Sequence, residues 1–149
     1  LPATFELFVD WLYTGGELSL GTNVNVTEML QAIVFGHTFM APLFHAAVHN
    51  ATVTFLVRRK LVPSAEDIAF VLEKLPNDHA LREFLTELVY RRAAEGEAGL
   101  PREVVEQATA KIEERGIMYE GRELEACEYH VHESEKERSE CVRKARDGY

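Results

Sequence analysis

The residues best suited to chemistry lie near the end of the chain. Cys127, His130, His132 and Cys141 follow the pattern C-x-x-H-x-H-x8-C, beginning in CEYHVH. Residues two apart on an extended segment project to the same side, so His130 and His132 can grip one ion together. Two thiolates and two imidazoles complete a tetrahedral zinc set, which makes a closed, structural site. The spacing is not a common zinc-finger one, however, and a plain polar tail explains the same residues more simply. A Cys127–Cys141 bridge is the third reading. The expectation from sequence is the plain tail, with no metal ligand assigned and structural zinc as its alternative.

Other candidates are weaker. His45 and His49 stand four apart, on one face of a helix, but Ala46 occupies the place where a zinc-protease pair carries its Glu. Packed or surface imidazoles are expected there. Ser19, Ser64, Ser134 and Ser139 lie outside any G-x-S-x-G elbow, and neither phosphate-cradling glycine loop occurs. Carboxylates cluster on charged faces rather than in apolar runs that would shift their pKa. These readings predict no enzyme, no catalytic residue and no cofactor-binding residue.

The net charge is −9, of which residues 95–149 carry −6. An acidic surface repels phosphate backbones, so nucleic acid is not expected as a direct partner. Arg58-Arg59-Lys60, Arg91-Arg92 and Arg143-Lys144-Ala145-Arg146 read as helix ends, where cations complement the dipole. A 46% hydrophobic and 28% charged composition fits a soluble globular chain. No apolar run nears the roughly 18–20 residues of a membrane span. Leu1-Pro2 lacks signal-peptide character, and two cysteines make no secreted framework. Asn25-Val26-Thr27 and Asn50-Ala51-Thr52 are then read as chance sequons, and the location as cytoplasmic or nuclear.

Helical periodicity recurs along the chain. Thr4 is a candidate N-cap for a first helix with Phe5, Phe8, Val9 and Leu12 on one face, ended by Gly15-Gly16. Glu17 to Leu20 reads as an edge strand or extended linker. Thr27 is the expected cap of a second helix, and Pro42 opens a third that runs to Leu56. Ser64 caps a fourth, stopped by Pro76. Asn77 or Asp78 caps a fifth, and Pro101 starts a sixth that ends at Gly116. Ile117, Met118, Tyr119 and Leu124 form the last core-like cluster. From Glu133 the chain is charged, a solvated helix or frayed tail.

The run TFELFVDWLYTGGEL, with Phe5 and the Trp11-Leu12-Tyr13-Thr14-Gly15 element, resembles the central helix and following turn of BTB/POZ domains of the fungal type. Met29-Leu30-Gln31-Ala32 with Phe35-Gly36-His37-Thr38-Phe39, and Pro42-Leu43-Phe44 through Phe55-Leu56, are similar to the two helices that follow in that family. CEYHVH is similar to a Cys-x-Tyr-His-x-His signature of the C-terminal extensions of these proteins. The resemblance covers residues 1–60 and 127–132.

It implies a mainly α chain in three parts. Residues 1–60 are the C-terminal half of a BTB/POZ domain without its sheet-forming half, 61–116 a helical extension, and 117–149 a charged tail. It implies a protein–protein interaction module, an adaptor for ubiquitin-ligase or transcriptional complexes, with a cullin-type scaffold or another BTB protein as partner. The stripe of Phe5, Phe8, Trp11 and Leu12 is then expected to lie uncovered. The alternatives are a small zinc-stabilised regulatory domain, or a fragment without independent function.

Overall fold

The computed structural model describes residues 2–21, 23, 25–116 and 124–147. It is mainly helical, and no strand occurs among the described residues. The helices are α1 (Pro2–Tyr13), α2 (Val26–Thr38), α3 (Pro42–Arg59), α4 (Ala65–Lys74), α5 (Ala80–Ala94), α6 (Arg102–Glu114) and α7 (Glu135–Asp147), with a 3₁₀ turn at Ala126–Tyr129. Glu17 to Leu20 is an irregular connection. Two compact units divide the chain: Leu1–Arg59 with Glu125–Tyr149, and Lys60–Leu124. The sequence reading sets apart residues 117–149 as a third part, whereas the segment from Glu125 belongs with the first unit. Side-chain bonds to α3, described below, draw it there. Of the core-like cluster read at 117–124, Ile117, Met118 and Tyr119 lie outside the described residues.

In the first unit, α2 and α3 pack against each other and α1 packs on α2. Leu30, Ile33, Phe44, Val48, Val53 and Leu56 are fully buried. The corner between the pair is tight. Ala41 N–H donates to Gly36 O at 2.9 Å and Met40 N–H to His37 O at 3.3 Å, a Schellman closure of α2. The pair is tightly apposed at Gly36, where a Cβ would lie 2.9 Å from both Cα and Cβ of His45. Because the obstacle is helical backbone, α2 and α3 would have to separate. Gly36→Ala is therefore expected to lower stability by about 1–2 kcal/mol in denaturant titration, even after the intrinsic helix gain of Ala over Gly. An unchanged midpoint contradicts this packing.

In the second unit, Ile68, Val89 and Ala108 bring α4, α5 and α6 onto one core, flanked by Val62, Leu72, Tyr90, Val104 and Val105. The Arg82 guanidinium donates to Leu72 O at 2.7 Å and to Leu75 O at 3.0 Å, which satisfies carbonyls at the end of α4. Among the described residues, no helix is long and apolar enough to cross a membrane.

Three caps differ from expectation. α1 starts at Pro2, so Thr4 lies inside the helix and is buried; proline suits the first helical position, where its missing N–H costs nothing. α2 is capped by Asn25, whose Oδ1 accepts from Thr27 N–H at 2.9 Å; asparagine is the stronger cap and sits one residue before the helix. For α5 the cap is His79, whose Nδ1 accepts from Leu81 N–H at 3.1 Å. A turn closed by His79 N–H to Pro76 O uses up Asn77 and Asp78, so the helix begins beyond them. Ser64 caps α4 as its position suggests, accepting from Asp67 N–H at 3.1 Å.

Candidate functional site

Two features of the first unit stand out, at opposite chemical extremes. One is an aromatic array. Phe8 of α1 lies 5.0 Å from Phe44 and 5.5 Å from Phe35, ring centroid to ring centroid. Trp11 lies 5.5 Å from Phe44, and Phe35 lies 4.6 Å from Phe39. The edge-on and tilted geometries suit the ring quadrupoles. The array runs from the buried Phe44 out to Phe39, which is exposed.

Part of the α1 stripe is thus covered by the chain itself: Phe8 and Trp11 are half-buried against α2 and α3. Phe5 and Leu12 remain exposed. They are seven apart and share one flank of α1. Phe39, Met40 and Leu43 are exposed at the α2–α3 corner beside the same rings. Met40 is 86% exposed and holds φ at 53°. A left-handed residue at this helix-terminal position is usually glycine, because a Cβ there is strained by about 1–2 kcal/mol.

The other feature is the Cys/His cluster. One ligand atom each from Cys127, His130, His132 and Cys141 lies within 4.8 Å of every other. Cys127 Sγ is 2.8 Å from Cys141 Sγ, with no disulfide joining them, and His130 Nδ1 is 3.1 Å from Cys141 Sγ. The 3₁₀ turn carries Cys127 and α7 carries Cys141, while side chains of α3 hold the stretch between them. His49 Nε2–H donates to Tyr129 O at 2.7 Å, and Thr54 Oγ1 lies 2.7 Å from His130 Nε2. Asn50 grips Val131 twice, accepting its N–H at 2.7 Å and donating to its carbonyl at 2.9 Å. His130 and His132 therefore flank a residue pinned on both sides. Ser134 caps α7, accepting from Glu137 N–H at 3.2 Å, while Glu137 Oε2 accepts from Glu133 N–H at 2.8 Å. This near-reciprocal cap turns the chain so that α7 returns Cys141 to Cys127.

Burial disfavours charge on Cys127, His130 and the neighbouring His49. Burial, the hydrogen bond to Cys141 and its charge push the Cys127 thiol up to about 12. Burial, with His132 beside it, lowers His130 to about 4. Burial and the nearby His130 lower His49 to about 4. Neutral imidazole is the form that ligates metals.

The sequence-level candidates thus part company. Cys127, His130, His132 and Cys141 meet in space. His49 is a buried structural donor, and His45 stacks on it with ring centroids 6.1 Å apart. Ser64, Ser134 and Ser139 are engaged within or at the ends of helices. Asn25 and Asn50, the two sequon asparagines, hold backbone instead. Sequence reasoning missed Asn50 and Thr54 as supports of the cluster: they lie 81 and 76 positions from their partners. It also missed Met40, whose strain is visible only in the backbone. No protein-family model, curated protein or solved structure matches the chain.

Proposed function

We propose that the first unit is a protein–protein interaction module, with the apolar rim of α1 and the α2–α3 corner as its docking surface. The observation that carries this reading is Met40. A long apolar side chain stands in solvent at a strained position where glycine would relieve the strain. Around it, Phe39, Leu43, Leu12 and Phe5 add further exposed apolar surface, the composition of an interface rather than of a solvated corner. Large aromatic and methionine side chains are those enriched at interface centres. The BTB-type resemblance of residues 1–60 supports the same reading and suggests the partner, a cullin-type scaffold or another BTB-type domain. Nothing in this reading calls for catalysis.

Met40→Gly separates function from stability. Relief of the left-handed strain, less the entropy glycine loses on folding, is expected to raise stability by up to about 1 kcal/mol. Binding of a purified cullin scaffold or a BTB-type domain, read by calorimetry, is expected to weaken tenfold or more, about 1.4 kcal/mol. Met40→Gly with unaltered affinity, or no binding of either partner by the wild-type chain, overturns the proposal.

A further inference from the structure

The interaction surface leaves the Cys/His cluster unused. Its geometry asks for an explanation of its own. Zinc bound by two sulfurs and two nitrogens sets tetrahedral edges of roughly 3.3–3.8 Å, from bond lengths near 2.3 Å and 2.0 Å. The four ligand atoms already lie within 4.8 Å of one another, so about an ångström of adjustment per edge completes the polyhedron. We propose that Cys127, His130, His132 and Cys141 form a closed, four-ligand zinc site that ties the segment from Glu125 together, joining its 3₁₀ turn and the His130–His132 stretch to α7 where Asn50 and Thr54 seat it on α3.

Support comes from the surroundings of the ligands. A metal-binding imidazole is normally oriented through its second nitrogen. Thr54 Oγ1 sits 2.7 Å from His130 Nε2, which leaves Nδ1 directed at Cys141 and the centre of the cluster. His132 Nε2 is buried with no hydrogen-bond partner, an arrangement that is unfavourable unless something accepts its lone pair. The Asn50 clamp on Val131 fixes the spacing between the two imidazoles before any ion arrives. The segment also lacks a core: among its described residues only Cys127 is buried. A polar segment of this kind gains its fold from a metal far more readily than from packing. A Cys127–Cys141 bridge would use both sulfurs, yet it would give His132 Nε2 no partner.

Binding is balanced in protons. One Zn²⁺ displaces a proton from each thiol to solvent, and the two thiolates with two neutral imidazoles leave the centre without net charge. Soft sulfur with imidazole in tetrahedral array selects zinc over magnesium or calcium. With all four positions filled by protein, no site remains for substrate.

The test uses the full chain, purified under reducing conditions after growth with zinc. About one zinc per chain is expected by elemental analysis. Cobalt(II) in its place should give the intense visible bands of a tetrahedral thiolate complex. His132→Ala and Cys127→Ser should each lower the affinity for cobalt by about tenfold or more. Chelation should accelerate hydrogen exchange across residues 126–141 while leaving 26–56 protected. The stoichiometry and cobalt spectrum are read on wild-type protein, so misfolding of a variant does not decide the matter. Three results would overturn the site: a reduced chain that takes up neither metal, a His132→Ala chain with undiminished cobalt affinity, or protein isolated anaerobically with Cys127 and Cys141 already joined.

Discussion

Replacing Phe44 by alanine is expected to cost about 3–5 kcal/mol, the largest effect of any single substitution in the first unit. Its ring is fully buried, and it is the node at which three other aromatics meet: Phe8 at 5.0 Å, Trp11 at 5.5 Å and Phe35 at 6.2 Å. Removing it leaves a cavity that two helices flank, because Phe8 and Trp11 come from α1 and Phe35 from α2. Partial collapse is resisted by the close backbone approach at Gly36, which already fixes the distance between α2 and α3. Urea titration reads the effect directly: the midpoint should fall with the slope unchanged. Phe44→Leu should lose much less, since it keeps most of the volume. A loss below about 1 kcal/mol for Phe44→Ala would mean that the array is not the core of this unit.

The second large effect belongs to Asn50. Its amide answers both the N–H and the carbonyl of Val131, at 2.7 and 2.9 Å. Asn50→Ala leaves two part-buried backbone groups without their partner. A cost of about 2–3 kcal/mol follows, concentrated on the docked segment rather than spread over the fold. Hydrogen exchange resolved by residue tests this. Protection should fall at 126–141 and persist in α2, because α2 and α3 are held by apolar packing that the substitution does not touch. Uniform loss across α2, α3 and the segment would show instead that the segment is integral to the core. His49, whose Nε2–H donates to Tyr129 O, predicts the same pattern.

These contacts also show what can be read from sequence alone. Helical periodicity locates the helices, and the caps that differ do so for local reasons. His79 is not a customary cap, so its role at α5 carries no sequence signal. At the amino end Pro2 takes the first helical position, which leaves Thr4 inside α1 rather than capping it. The candidate ligands are legible as residue types, because Cys and His two or three positions apart stand out in any sequence. Their support is not legible. Asn50 and Thr54 reach the cluster across more than seventy positions, and no local pattern encodes such a pairing.

The uncovered stripe is half legible. Its hydrophobicity is plain, but which rings are sheltered depends on the α1–α2–α3 packing. Phe8 and Trp11 turn toward Phe35 and Phe44, while Phe5 and Leu12 stay on the flank. Met40 cannot be recognised at all, since a methionine after a helix carries no sign of a left-handed backbone.

The docking surface is tested most directly by a footprint. Hydrogen exchange of the chain, alone and saturated with a purified cullin scaffold or a BTB-type domain, reports where each partner rests. Protection concentrated at residues 5–12 and 35–43 is the predicted result. Protection confined to α4–α6, or no change anywhere with either partner, would contradict it.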